Sequence, residues 1–295
     1  MYQVILALSI LLAAPSVKVD NGVVVMTEIE FLDPETNNSL SHPLYMDVAF
    51  PSETEGLLPA IIYIHGGGWA SGKREEGLRA IRMFAFGDYF AASIDYRLTG
   101  EAGFPAAVHD CKAAIKFLKQ NAAELQIDPQ NIGIVGYSSG GHLAALVGVT
   151  AGDSFMDGPL NGTNTSTEVQ CIATISGAVM PHIATGQGKN LFARWALKDP
   201  RAILQQALPQ QYLNSTDPPL YLMCGSDDNV CPVKYTKKFT EELALKKIEY
   251  HLEVLPKRGH LISDPADYLG LLEFIDSKLG GNSHSAMQSF LQTNK

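Results

Sequence analysis

Short apolar runs alternate along the chain with longer stretches in which apolar residues recur every three or four positions. Such runs are typical of buried strands, and the longer stretches are typical of amphipathic helices. The pattern predicts strands at residues 23–31, 44–50, 60–64, 89–95, 131–136, 171–176, 220–224 and 250–255. It predicts helices at residues 75–86, 105–121, 139–149, 233–245 and 268–278. The sequence therefore predicts an α/β fold, with a mostly parallel eight-stranded sheet, helices on both faces and an antiparallel hairpin at one edge.

Most of the chain is predicted to form one domain. Its 295 residues are 46% hydrophobic, which is enough to bury a single large core. We place this domain at residues 17–279, with an insertion at residues 177–219 that interrupts the alternation of strands and helices. The last residues, 280–295, are rich in Gly, Asn, Ser and Gln and are predicted to be a flexible tail.

Residues 136–140 read Gly-Tyr-Ser-Ser-Gly and lie between a predicted strand and a predicted helix. A serine between two glycines at such a turn is the pattern of the nucleophile elbow of serine hydrolases. The turn is so sharp that side chains at the flanking positions would clash with neighbouring backbone. The pattern therefore predicts Ser138 as a nucleophile at the end of the sheet. By itself the pentapeptide is also compatible with an ordinary glycine-rich turn.

Three glycines follow the predicted strand 60–64 directly after His65. Acyl transfer builds negative charge on a carbonyl oxygen, and backbone N–H groups stabilise it best where no side chain prevents close approach. Gly66 and Gly67 are predicted to offer two such donors, and Ser139, the residue after the nucleophile, a third. A phosphate-binding loop is the alternative, but neither the Gly-Lys-Ser/Thr nor the G-x-G-x-x-G pattern is present here.

Two adjacent carboxylates, Asp227 and Asp228, follow the predicted strand 220–224. A loop after a late strand is where a hydrolase of this chain order keeps the acid that orients its histidine. We favour Asp228, because Val230 and Pro232 stand just beyond it in a pattern similar to the acid loops of such enzymes. Asp227 would then be solvated or would cap the turn.

His260 follows the predicted strand 250–255. Histidine can accept and return a proton near neutral pH, so it suits the role of general base. The order of Ser138, Asp228 and His260 along the chain is the order found in α/β-hydrolases. His65 and His142 flank the glycine turns and are expected to support their backbone. Asp110 is expected to be structural, either in an ion pair or as an anchor that hydrogen-bonds to the glycine-rich loop.

Several motifs occur together in an order that is found in one family. They are HGGGW at residues 65–69, IDYRL at 94–98, FPAA at 104–107 with Asp110, and GYSSGGHLA at 136–144. Over about residues 44–279, the chain resembles the α/β-hydrolase esterases of the hormone-sensitive-lipase and feruloyl-esterase-like (BD-FAE-like) group. In that group the insertion at residues 177–219 would be a small cap. The chain departs from the group's pattern at Ser139, where many relatives carry alanine, and at Cys224 and Cys231 in the acid loop.

This resemblance implies a serine carboxylester hydrolase. It implies a triad of Ser138, Asp228 and His260, and an oxyanion hole of Gly66, Gly67 and Ser139. The reaction would proceed through an acyl-enzyme, with no metal or cofactor, on small or short-acyl esters that include acetyl or hydroxycinnamoyl esters of carbohydrates. Further substrate contacts are expected from Trp69, Tyr137 and the cap residues Met180, Phe192 and Trp195; the cap residues could equally be packed with no substrate contact.

Two other kinds of function stay open on the same fold. An arylformamidase, or another amidase or peptidase, would use the same three side chains. A catalytically silent binding protein would use none of them, although its usual signature is a lost triad residue and none is lost here. The net charge of −9 argues against binding to a nucleic-acid backbone, so the expected partner is a small-molecule ester. The sequence does not indicate an oligomeric state.

The N-terminus and the cysteines bear on localisation. Residues 4–14 are apolar apart from Ser9, which matches the core of a signal peptide and is too short for a membrane span. Residues 1–16 are therefore predicted to be a signal peptide of a secreted or periplasmic protein. The alternative is a first core element of a cytoplasmic protein, because no Lys or Arg precedes the apolar run.

The cysteines Cys111, Cys171, Cys224 and Cys231 allow two disulfides by count, or four free thiols.

Overall fold

A computed structural model describes residues 16–33, 40–158, 164–180 and 205–293. Its strands form one nine-stranded sheet in the order β1-β2-β3-β5-β4-β6-β7-β8-β9. The strands are β1 (Ser16–Asp20), β2 (Val23–Leu32), β3 (Leu44–Pro51), β4 (Leu58–Ile64), β5 (Phe90–Ile94), β6 (Ile127–Tyr137), β7 (Cys171–Ile175), β8 (Leu220–Gly225) and β9 (Tyr250–Leu255). Strands β4 to β9 are parallel to one another, and β1, β2 and β3 form an antiparallel edge next to β5. The predicted α/β class with a mostly parallel sheet is confirmed.

Within the described ranges the sheet has nine strands and not the expected eight, because β1 adds a strand outside the predicted hairpin. In the register of β1 and β2, Asp20 faces Val23, so only Asn21 and Gly22 form the turn. Both have positive φ angles, of 50° and 77°. A two-residue hairpin turn of this kind favours Asn-Gly, because these residues adopt positive φ at low cost. The Asn21-Gly22 dipeptide is thus the sequence feature from which the hairpin of β1 and β2 could have been predicted. Residues 1–15, most of the predicted signal peptide, lie outside the described residues.

Helices cover both faces of the sheet, as predicted. They are α1 (Leu78–Ala85), α2 (Ala106–Gln120), α3 (Ala122–Leu125), α4 (Ser139–Val149), α5 (Ser154–Asp157), α6 (Val233–Leu245), α7 (Leu269–Leu279) and α8 (Ser283–Thr293). Apolar side chains of α2, α4 and α6 are buried in one cluster, and those of α1 and α7 are buried in another. The core therefore consists of two layers separated by the sheet. Among the described residues, no helix is both long enough and apolar enough to cross a lipid bilayer.

The C-terminal segment contains the helix α8, which packs against α1 and α7. The flexibility expected of residues 280–295 stays a prediction. The carboxylate of Asp276, in α7, accepts hydrogen bonds from the N–H groups of Ser283 at 3.0 Å and of His284 at 2.7 Å. These N–H groups at the start of α8 have no partner within their own helix. A carboxylate on the preceding helix supplies that partner, which composition alone did not reveal.

Most of the predicted cap-like insertion lies outside the described residues, because residues 181–204 are not among them. Phe192 and Trp195 belong to that part. At its described start, Met180 is partly buried and packs against the core. At its described end, a short 3₁₀ helix spans Pro209–Gln211.

Candidate active site

The turn from β6 into α4 holds Ser138 in a backbone conformation that residues with side chains rarely adopt. Its φ and ψ angles are 55° and −116°. A Cβ atom on Gly136 would lie 2.1 Å from the carbonyl oxygen of Gly140, and one on Gly140 would lie 2.2 Å from that of Ile64. Only glycine fits at these two positions. The N–H of Ser138 donates to the carbonyl of Ile175 in β7 at 2.9 Å, which ties the turn to the sheet.

The structure brings Ser138, His260 and Asp228 together at the carboxyl ends of their strands. The Nε2 atom of His260 lies 2.9 Å from the Oγ atom of Ser138. The Nδ1 atom of His260 lies 2.8 Å from Oδ2 of Asp228. With the ring proton on Nδ1 donated to the carboxylate, Nε2 is free to accept the serine proton. The geometry is that of a nucleophile, a base and a carboxylate that orients the base.

Hydrogen bonds hold the carboxylate of Asp228 in its ionised form. Its Oδ1 atom accepts from the N–H groups of Val230 and Cys231, both at 2.8 Å. Burial raises the pKa of Asp228, but the hydrogen bond from His260 and these backbone donors outweigh burial, so that the pKa lies below its ordinary value. The neighbouring Asp227 has an exposed side chain that accepts from the hydroxyl of Ser226, whereas the contact with Nδ1 of His260 is made by Asp228.

Sequence reasoning missed the residues that hold the loop of His260. The hydroxyl of Ser176, directly after β7, donates to the carbonyl of His260 at 2.8 Å. The hydroxyl of Tyr268 donates to the carbonyl of Ile262 at 2.7 Å. The available signal for Ser176 was its place at the carboxyl end of a central strand, where open α/β sheets collect functional residues.

Gly66 and Ser139 lie beside Ser138, and Gly67 follows Gly66 in the glycine-rich loop. A Cβ atom on Gly66 would lie 3.2 Å from the Cβ of Ser138, so this backbone passes directly along the serine. Gly67 has a φ of +115°, and a Cβ there would lie 2.0 Å from the carbonyl oxygen of Ser71. Among the described backbone groups, none accepts a hydrogen bond from the N–H of these three residues. Their role as an oxyanion hole stays a prediction.

His65 supports the backbone of the glycine-rich loop, as expected. Its Nδ1 atom donates to the carbonyl of Gly66 at 2.7 Å, and its ring stacks on Tyr96 with 4.3 Å between ring centres. The hydroxyl of Tyr96 donates to the carbonyl of His65 at 3.2 Å. Burial lowers the pKa of His65, which favours the neutral ring.

Asp110 forms an ion pair with Arg97, which is one of its two expected roles. Among the contacts of the described residues, none joins its carboxylate directly to the glycine-rich loop. Its carboxylate accepts from the backbone N–H of Arg97 at 2.8 Å and from the guanidinium Nη2 at 2.7 Å. Both side chains are buried, and a buried guanidinium needs a charged partner. Asp110 is connected to the loop through its partner Arg97. Thr99, two residues after Arg97, donates its N–H to the carbonyl of Trp69 in the loop at 2.8 Å.

Trp69 and Tyr137, the predicted substrate contacts outside the cap, differ in exposure. Trp69 is only 6% exposed, and its indole N–H donates to Nδ1 of His142 at 3.2 Å. Tyr137 is half-buried, with its ring centre 5.3 Å from that of His260. Burial raises the pKa of Tyr137 to about 12, so its hydroxyl is neutral at physiological pH. Contact of either residue with a substrate stays a prediction.

The four cysteines are free thiols. This agrees with the second of the two possibilities that the sequence left open. Among the described residues, no group of three or more His, Cys, Asp or Glu side chains is arranged to hold a metal ion.

His142 is a fully buried histidine whose ring has polar partners on both sides. Its Nδ1 accepts from Trp69, and its Nε2 donates to the carbonyl of Ala207 at 2.7 Å. Burial lowers the pKa of His142 to about 4, although the hydrogen bond to Ala207 partly offsets this effect. The ring is therefore neutral in the folded protein at pH 5, whereas it would be protonated in the unfolded chain.

This difference predicts a pH-dependent contribution to stability. Because the unfolded chain binds a proton at His142 below pH 6.5 and the folded protein does so only near pH 4, stability falls as the pH falls through this window. Between pH 7 and pH 5 we expect the free energy of unfolding of the wild type to fall by about 2 kcal/mol more than that of His142→Asn. Urea unfolding at both pH values measures this difference. Parallel losses in the two proteins would contradict it.

The fold and the arrangement around Ser138 are those of an α/β-hydrolase. Two solved structures share the fold. A truncated carbohydrate esterase from gut microbiota has a TM-score of 0.75 and 24% identity, over 90% of this chain and 100% of that one. Esterase B from Lactobacillus rhamnosis, inhibited by a tributyrin phosphonate, has a TM-score of 0.74 and 18% identity, over 94% of this chain and 91% of that one.

The family is shown by a sequence match. The chain belongs to the BD-FAE family, whose model matches residues 46–243. Esterase LipC from Mycobacterium tuberculosis is 29% identical over 214 residues, which cover 68% of this chain and 52% of LipC. Carboxylesterase NlhH from the same organism is 37% identical over 107 residues, which cover 36% of this chain and 34% of NlhH. The chain thus spans about half the length of LipC and about a third of NlhH.

Proposed function

We propose that this protein is a serine carboxylester hydrolase, with Ser138 as nucleophile, His260 as general base and Asp228 as the residue that orients His260. The hydrogen-bonded run from Asp228 through His260 to Ser138 carries the proposal, with separations of 2.8 Å and 2.9 Å. Matches to esterases and carboxylesterases support the same class of reaction.

The proposed reaction has two steps. In the first, Oγ of Ser138 bonds to the ester carbonyl carbon while its proton passes to Nε2 of His260. The negative charge that forms on the carbonyl oxygen is stabilised by the N–H groups of Gly66, Gly67 and Ser139. His260 then gives the proton to the departing alcohol, and the acyl group stays on Ser138. In the second step, a water molecule activated by His260 releases the acid and restores the serine.

The substrates that we propose are small or short-acyl esters, among them acetyl or hydroxycinnamoyl esters of carbohydrates. The family match at residues 46–243 and the likeness to a carbohydrate esterase support this class. Amides are the competing substrates, because an amidase would use the same three side chains.

Activity against matched esters and amides tests this proposal. We expect turnover of p-nitrophenyl acetate and butyrate, with kcat/KM falling for longer acyl chains and for p-nitroacetanilide, the amide that matches the acetate. Acetylated xylan carries acetyl esters on a carbohydrate, and methyl ferulate is a simple hydroxycinnamoyl ester, so their relative turnover distinguishes the two proposed acyl groups. Equal or faster turnover of the anilide would indicate an amidase. A folded protein that hydrolyses none of these compounds would contradict the enzyme and favour a silent binding protein.

A further inference from the structure

One hydrogen bond joins the candidate oxyanion loop, residues 66–69, to the ring of His142 in helix α4, and a second joins the same ring to the carbonyl of Ala207. We propose that His142 is a positioning residue, which fixes the N–H groups of Gly66 and Gly67 relative to Ser138 by holding the indole of Trp69. The inference rests on the function proposed above, since it concerns the oxyanion hole of that reaction.

Trp69 is the anchor of this loop. Its φ angle of 59° lies in the left-handed region, which a bulky residue adopts only when its surroundings hold it there. The side chain points into the core, and the indole N–H donates to Nδ1 of His142 at 3.2 Å. The indole and imidazole rings meet edge to face, at 86° and with 5.3 Å between their centres. Since Trp69 is two residues from Gly67, its position limits the movement of the donors.

His142 also belongs to the other half of the candidate oxyanion hole. It lies in the first turn of α4, three residues after Ser139, which supplies the third proposed donor. The backbone N–H of His142 donates to the carbonyl of Ser138 at 3.2 Å. One residue therefore contacts the nucleophile through its backbone and the loop with the other two donors through its ring. This geometry sets the distance between the two halves.

Only a neutral imidazole with its proton on Nε2 can make both ring contacts. Nε2–H donates to the carbonyl of Ala207 at 2.7 Å, and this leaves the lone pair of Nδ1 to accept from the indole of Trp69. A protonated ring would place an N–H at Nδ1 against the indole N–H. Burial keeps the pKa of His142 at about 4, so the required form is present throughout the neutral range.

A positioning role predicts a specific kinetic effect. Donors aimed at the oxyanion stabilise the transition state more than the bound ester, so their displacement lowers kcat and leaves KM nearly unchanged. Loss of a whole donor typically costs about 10²- to 10³-fold in kcat. A loosened loop retains its donors but holds them less precisely, so we expect kcat to decrease by about 10- to 100-fold, which is less than for loss of a donor.

Three substitutions separate the two ring contacts. Trp69→Phe keeps an aromatic ring but removes the N–H. In His142→Gln the side-chain amide can donate at the position of Nε2, but no acceptor remains at the position of Nδ1. In His142→Asn the shorter amide can accept at the position of Nδ1, but no donor remains at the position of Nε2. We expect Trp69→Phe and His142→Gln to lower kcat for p-nitrophenyl acetate by about 10- to 100-fold, with KM within about twofold. His142→Asn should retain more kcat than His142→Gln. The double variant Trp69→Phe/His142→Gln should be no slower than the slower single variant, because both changes remove one interaction.

His109→Asn is the matched control, because His109 also has a ring nitrogen paired with a backbone carbonyl, that of Phe155 at 2.9 Å, outside this loop. Its kcat should equal that of the wild type. Wild-type kcat in folded Trp69→Phe, or multiplied effects in the double variant, would overturn the inference. If His142→Gln does not fold, the kcat of Trp69→Phe by itself tests the positioning role of His142. If Ser138→Ala is as active as the wild type, the proposed function fails instead; if it is inactive while Trp69→Phe is unimpaired, only this inference fails.

Discussion

Replacing Ser138 with alanine is expected to lower kcat/KM for p-nitrophenyl acetate by roughly 10⁴- to 10⁶-fold, because loss of the nucleophile costs a serine hydrolase about 10⁶-fold in kcat. Alanine removes the oxygen that would form the acyl-enzyme, while His260 and the backbone donors remain in place. We expect the variant to fold, because alanine is smaller than serine and fits the same space. The lost hydroxyl contact is with His260, in the candidate site and not in the hydrophobic core. Initial rates with purified protein, together with a thermal unfolding curve, measure both quantities.

Ser277→Ala is the matched control for this change. Its hydroxyl donates to the carbonyl of Phe274 within α7, away from the candidate site. We expect activity equal to that of the wild type. Activity of Ser138→Ala close to that of the wild type would mean that another residue attacks the ester, and the proposed function would then be wrong.

The second large effect is expected at the acid. Asp228→Asn should lower kcat by roughly 10³- to 10⁴-fold with little change in KM. An amide group at this position can donate to Nδ1 of His260, which then keeps its proton on Nε2, the atom that must accept the proton of Ser138. The variant also loses the charge that stabilises the protonated ring. Steady-state kinetics of the purified variant measure the effect.

Asp227→Asn tests the assignment, because the two aspartates are adjacent in the sequence and only Asp228 contacts His260. The side chain of Asp227 is exposed and pairs with Ser226, so we expect activity within about twofold of the wild type. A larger loss with Asp227→Asn than with Asp228→Asn would show that the acid is assigned to the wrong residue.

The elbow could be predicted from the sequence because it is a local feature. The glycines at 136 and 140 are required by contacts within a few residues and with the adjacent strand β4, and an apolar strand and a helix flank them. Asp228 and His260 are distant in sequence from Ser138. They could still be assigned, because each follows a parallel strand and such strands end at the same edge of the sheet.

The supports of the site could not be predicted in the same way. Ser176 holds His260 across 84 residues, and Trp69 contacts His142 across 73 residues. These contacts depend on how loops approach one another above the sheet, and no repeating pattern in the sequence encodes that approach. The helix α8 is a similar case, because its first N–H groups are satisfied by Asp276 from the preceding helix.

The central claim is that Ser138 becomes covalently attached to the acyl group. A fluorophosphonate tests it directly, because the serine oxygen bonds to phosphorus, fluoride departs, and the adduct is stable enough for mass spectrometry of the digested protein. We expect a single phosphonyl group on the peptide that contains Ser138, and none on Ser138→Ala treated in the same way. A label on a different residue, or an unlabelled wild type that still hydrolyses esters, would contradict the account.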